Sequence, residues 1–132
     1  MSANSTSLQY SLVCLGFDES KGPPTLQHVV SELTLDAFPY QFPEGSGLFL
    51  VNGWHHLPAS SSECRITVAG PQGSLTVDQS FSLEPAASSS FQMSLVFLEG
   101  ICFPAPGRYL VGVWLQDELY SEYPLTVQEA RG

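Results

Sequence analysis

Alternation of side chains over residues 108–115, directly after the reversal at Ala105-Pro106-Gly107-Arg108, constrains this 132-residue chain more than any other feature. Proline fixes φ near about −65° and glycine accepts positive φ, the needs of the two central positions of a type II turn. Tyr109, Val111, Val113 and Leu115 then alternate with Arg108, Leu110, Gly112 and Trp114, and a period of two puts the first set on the buried face of a strand. After the polar Gln116-Asp117-Glu118 a second strand runs over residues 120–127. A two-residue turn at Asp117-Glu118 would set Glu122 opposite Val113, inside the core. A three-residue loop at 116–118 instead pairs Leu115 with Leu119, Val111 with Tyr123 and Tyr109 with Leu125, and keeps the carboxylate in water. Pro124 has no N–H to give to a ladder, which places this last strand at a sheet edge.

Pro106-Gly107-Arg108-Tyr109 entering an alternating strand, then a polar turn and Ser121-x-x-Pro124-Leu125-x-Val127, resembles the C-terminal half of a family of small bacterial immunoglobulin-like β-sandwich proteins of unknown function. Looser matches lie upstream: a first strand ending near Phe17, a second over 28–35, and Phe38-Pro39 before the third. Members of that family often carry Asp-Gly in the final turn, where this chain has Gln116-Asp117-Glu118. The resemblance implies the fold and no known activity, because fold alone does not fix function.

The rest of the chain reads the same way. Residues 8–17 are apolar in both phases, Leu8, Tyr10, Leu12 and Cys14 on one side and Val13, Leu15 and Phe17 on the other, so both faces look covered. Residues 26–38 read as one strand carrying Val29, Val30, Leu33 and Leu35, and residues 48–56 as a strongly apolar one. The immunoglobulin-like pattern often buries a tryptophan in its third strand, which assigns Trp54 to the core. Cys64, Ile66 and Val68 face inward with Arg65 and Thr67 in water, and Gly70-Pro71-Gln72-Gly73 closes a hairpin into Leu75, Val77 and Phe81. From residue 91, Phe91, Met93, Leu95 and Phe97 alternate with Gln92, Ser94 and Val96. The expected fold is all-β: a single-domain antiparallel sandwich of about 7–8 strands over residues 8–128, with a disordered tail at 1–7 and a short tail at 129–132.

Thirteen acidic against four basic residues give a net charge of −9, a surface that repels phosphate backbones and anionic lipid. Neither nucleic acid nor membrane is an expected partner. The N-terminus lacks the basic and apolar regions of a secretory signal, so the expected location is cytoplasmic. Cys14, Cys64 and Cys102 form no C-x-x-C pair and read as buried structural thiols.

No catalytic constellation stands out. His55 and His56 are adjacent and leave a strand on opposite faces, so a zinc site would need His28 or a cysteine delivered by folding. Serines are abundant, but no Gly-x-Ser-x-Gly elbow exposes one, and Gly45-Ser46-Gly47 is not followed by a helix bearing lysine. The acid pairs Asp18-Glu19 and Asp117-Glu118 sit in turns, where solvation is their usual role. No catalytic residue, metal ligand or cofactor is assigned. The three-residue loop puts Tyr120 across from Trp114 outside the core, so Leu110, Trp114 and Tyr120 form the candidate interaction surface. The functional expectation is a non-enzymatic binding or assembly module with a protein partner or a second copy. The alternative is a small hydrolase or metal-dependent enzyme built from loop histidines and acids.

Overall fold

A computed structural model gives the fold and describes residues 5–18, 20, 25–85 and 90–130. Its strands are β1 (Ser7–Asp18), β2 (Thr25–Val30), β3 (Glu32–Leu35), β4 (Tyr40–Gln41), β5 (Gly47–His55), β6 (Ser62–Ala69), β7 (Leu75–Leu83), β8 (Phe91–Glu99), β9 (Cys102–Phe103), β10 (Gly107–Leu115) and β11 (Glu118–Glu129). The expected tails at 1–4 and 131–132 lie outside the described residues, while Ser7 and Glu129 already belong to strands.

Two sheets form the body: a four-stranded one in the order β2-β1-β5-β8 and a five-stranded one in the order β3-β11-β10-β6-β7, with β4 and β9 as a small separate ribbon. All pairings are antiparallel except β3 with β11. The fold is thus an all-β sandwich of two sheets. Between the sheets lie Val13, Leu48, Leu50 and Trp54 from one side and Ile66, Val68, Tyr109, Val111, Val113, Leu115, Leu125 and Val127 from the other. Trp54 and Tyr109 are wholly buried, as the alternation of their strands requires.

The expected single strand over 26–38 is two. Residues 25–30 pair with β1 in one sheet, and after Ser31 residues 32–35 pair in parallel with 126–129 in the other. Alternation predicts strands but carries no signal for a change of sheet, since Val30 and Leu33 both point inward on either side of the crossing. The same crossing revises the edge assignment of Pro124. The Thr126 amide donates to Ser31 O, and alternate amides point the same way, so residue 124 faces the stretch just before β3 arrives. Strand β11 is therefore an edge over its first part only, and proline sits where a missing N–H costs no ladder bond.

A further correction concerns β1. The register shifts between Leu8 and Tyr10: Leu8 pairs with Trp54 and Tyr10 with Gly53, so the bulge turns Leu8 inward and leaves Tyr10, Leu12 and Cys14 on the outer face.

The thiols fit a core without covalent staples. All three cysteines are free; Cys14 and Cys64 are fully buried and Cys102 half-buried. Burial pushes the Cys64 thiol up to about 12 and also raises that of Cys14. A thiol reagent at pH 8 should therefore modify no cysteine other than Cys102 in the folded protein, and all three after denaturation. Prompt reaction of two thiols under native conditions would contradict the packing.

Candidate interaction surface

Titratable groups were the first candidates, and the fold does not gather them. His28 and His55 flank opposite ends of β1, the latter held by Gln9 with Nε2 and Oε1 2.6 Å apart. His55 and His56 lie with ring centroids 5.9 Å apart but converge on no third ligand. Among the described residues no group of three His, Cys, Asp or Glu side chains could hold a metal ion. Asp18 is exposed and accepts the Ser20 amide at 2.9 Å, a bond that holds its carboxyl below the usual range; Glu19 lies outside the described residues. A cleft of about 280 Å³ between the 70–76 and 104–109 segments is lined by Pro71, Leu75, Pro104 and Pro106. Its one titratable member, Tyr109, donates its hydroxyl proton to Ala105 O at 2.6 Å. Nothing in that cleft is placed for acid–base or nucleophilic work.

The structure keeps Leu110 and Trp114 together on the outer face of the five-stranded sheet and takes Tyr120 away from them. The turn between β10 and β11 is two residues long, with Gln116 and Asp117 both at positive φ (50° and 64°), the requirement of a type I′ hairpin turn. Val113 pairs with Ser121 and Trp114 with Leu119, which leaves Tyr120 as the extra residue of a bulge. Tyr120 therefore turns inward and packs edge-on against Trp54, centroids 5.4 Å apart. Val111 does face Tyr123 and Tyr109 does face Leu125; the bulge supplies the odd residue that the loop was expected to supply.

Trp114 stays on the outer face of the five-stranded sheet, but it is engaged there. Its Nε1 donates to Thr67 Oγ1 at 3.1 Å, and the Arg65 guanidinium lies 5.6 Å from its ring centroid. Beneath it Gly112 has no room for a Cβ, which would come within 2.5 Å of Thr67 Oγ1. Thr67, expected in water, is buried as a result. Arg65 also donates to both carboxylate oxygens of Asp78, at 2.8 and 3.0 Å, raising its own pKa and lowering that of Asp78. This face is a charged, self-satisfied surface.

The outer face of the four-stranded sheet is different in kind. In the β5–β8 register Leu50 pairs with Val96 and Leu48 with Leu98, and both pairs are core, so Met93, Leu95 and Phe97 face outward. They join Phe49 and Val51 of β5, Tyr10, Leu12 and Cys14 of β1, and Val29 of β2. Phe97 stacks on Phe49, centroids 4.7 Å apart and planes 20° from parallel, and Phe91 lies against Tyr10 and His55 at 6.2 and 5.1 Å. Among the described residues, charged groups on this face come only at one end, Asp18 and Glu99, where β1 and β8 stop. Val29 is 52 % and Phe97 37 % exposed. The signal was present as apolar residues in both phases of β1 and β5. It was masked in β8, where the phase containing Gln92 and Ser94 is the inner one.

A family model described as a family of unknown function (DUF6941) matches residues 9–128, and the chain belongs to that family. No curated protein matches. Among solved structures the chain is similar to an immunoglobulin-like protein from Pseudomonas aeruginosa at 11 % identity and a TM-score of 0.46, over 95 % of this chain and 98 % of the other.

Proposed function

We propose that the protein is a non-enzymatic assembly module that pairs with a second copy of itself through the outer face of the four-stranded sheet. The observation that carries this reading is the continuous apolar surface made by Leu12, Met93, Leu95 and Phe97 with Val29 at its margin, charged only at its rim. Four strands at about 4.8 Å spacing and nine residues at about 3.4 Å each give a flat footprint of roughly 15–20 by 30 Å. With side-chain relief that approaches the ~800 Å² per partner of a standard interface. An uncharged face offers nothing to select a basic partner, whereas it complements itself by packing sheet on sheet.

Charge gives the test its sign. Two copies that each carry −9 repel, so self-association should tighten as salt screens them, whereas capture of a basic partner would weaken. Sedimentation velocity at low and high salt should show a dimer favoured at high salt. Leu95→Lys, a charge halfway along the edge strand β8 of that face, should return it to monomer with stability changed by no more than ~1 kcal/mol. A monomer at every salt concentration, or a dimer that survives Leu95→Lys, would sink the reading.

A further inference from the structure

A polar row crosses the inner face of the four-stranded sheet. Ser11, Asn52 and Ser94 are cross-strand partners on β1, β5 and β8, one row from the core residues Val13, Leu50 and Val96. Asn52 is 0 % exposed, and neither its Nδ2 nor its Oδ1 has a hydrogen-bond partner among the protein's own atoms; the Oγ of Ser94 is in the same position. Three unmade bonds in a buried layer would together rival the net stability of an ordinary domain. Hydrophobic residues would fill the same space without that cost, so these groups need an occupant that completes them.

The other end of the row is satisfied and leads outward. Ser11 Oγ and the Tyr123 hydroxyl, which reaches across from the five-stranded sheet, lie 2.8 Å apart. Beyond them a crevice of about 210 Å³, lined by Ser11, Val30, Ser31, Tyr123 and Pro124 among others, opens where the chain changes sheet. The Tyr123 phenol is held neutral, its pKa pushed up to about 12 by burial against the opposing bond with Ser11. No charged side chain belongs to the row, and rows carrying Leu50 and Trp54 bound it on either side.

We propose that the row is a built site for water: at least one molecule held between the sheets, bridging the Asn52 amide to the Ser94 hydroxyl and exchanging past the Ser11–Tyr123 pair. The amide offers two donors and an accepting oxygen, and the hydroxyl one donor and accepting lone pairs. A single water making about three bonds fits that set. The row itself lies on the inner face of the sheet, opposite the dimer surface, while Leu12 and Val29 of that surface also line the crevice.

Magnetic relaxation dispersion of water nuclei tests it directly. Wild-type protein should show at least one water that stays longer than the tumbling time, and the double variant Asn52→Leu/Ser94→Ala should lose that contribution. If the double variant does not fold, Ser94→Ala alone should reduce it. A wild-type protein with no long-lived water, or a folded variant that keeps the full amplitude, overturns the assignment.

Discussion

Tyr109→Ala should cost on the order of 4–6 kcal/mol in urea melts, against roughly 1–2 kcal/mol for Trp114→Ala, five residues along the same strand. The Tyr109 ring is wholly buried and stands edge-on to Phe103, centroids 5.0 Å apart. Its hydroxyl both donates to Ala105 O at 2.6 Å and accepts the Ala105 amide at 3.3 Å. Truncation opens a ring-sized cavity, typically about 3–5 kcal/mol, and strands two backbone groups at about 1 kcal/mol or more. A domain of this size has roughly 5–15 kcal/mol in hand, so the variant should be close to unfolding at 25 °C. Trp114 is only half-buried, and its losses are a hydrogen bond to Thr67, the guanidinium contact and the cover over Gly112. Tyr109→Phe separates the parts by keeping the ring and losing about 1 kcal/mol. Equal costs for Tyr109→Ala and Trp114→Ala would mean that the inward and outward phases of β10 are misassigned.

Gly47→Ala is expected to be as damaging for an unrelated reason. A Cβ there would sit 2.1 Å from Leu98 O, 2.8 Å from Leu98 C and 3.0 Å from Glu99 Cα. All three are backbone atoms of the neighbouring strand, and no rotamer change relieves them. Strand β8 is an edge strand held in its sheet through β5 alone, so the strain prises it away. The cost should lie at or above the top of the ~1–3 kcal/mol usual for overpacking. Gly53→Ala is the comparison, because the atoms nearest its Cβ belong to the Tyr10 ring, 2.4 Å away, and a half-buried side chain can swing aside. Thermal melts of the two variants should differ by at least about 1 kcal/mol at the midpoint. Matching melts would show that β8 yields as easily as a side chain does.

The parts of this fold that alternation specifies were legible in the residues. Tyr109, Val111, Val113 and Leu115 lie inside and Trp54 is core, because a period of two leaves a strand only one apolar face. The exclusion of Glu122 from the core held too, since it lies opposite Gly112 on the outer side. Only the device differed, a bulge at Tyr120 in place of a longer loop, and nothing local separates the two. What alternation cannot carry is the identity of a strand's neighbours. The inner phase of β8 is set by its register with β5, which makes Ser94 face the interior and Leu95 the exterior, against the bare polar-apolar rule. The candidate surface was misplaced for that reason: Tyr120 went to the wrong side of its strand, and the broad apolar face spans four strands that the sequence never places side by side.

The sheet change at Ser31 also orders events in time. Residues 32–35 have no ladder until 126–129 arrive, so the parallel edge of the five-stranded sheet waits for a segment far downstream in the chain. Meanwhile β1, β2, β5 and β8 are already synthesised and can pair, presenting apolar side chains on both faces and holding the β3 segment beside them with an unfilled edge. A nascent chain in that condition exposes an unpaired strand edge, and a truncation that spares everything up to residue 124 would leave it there permanently.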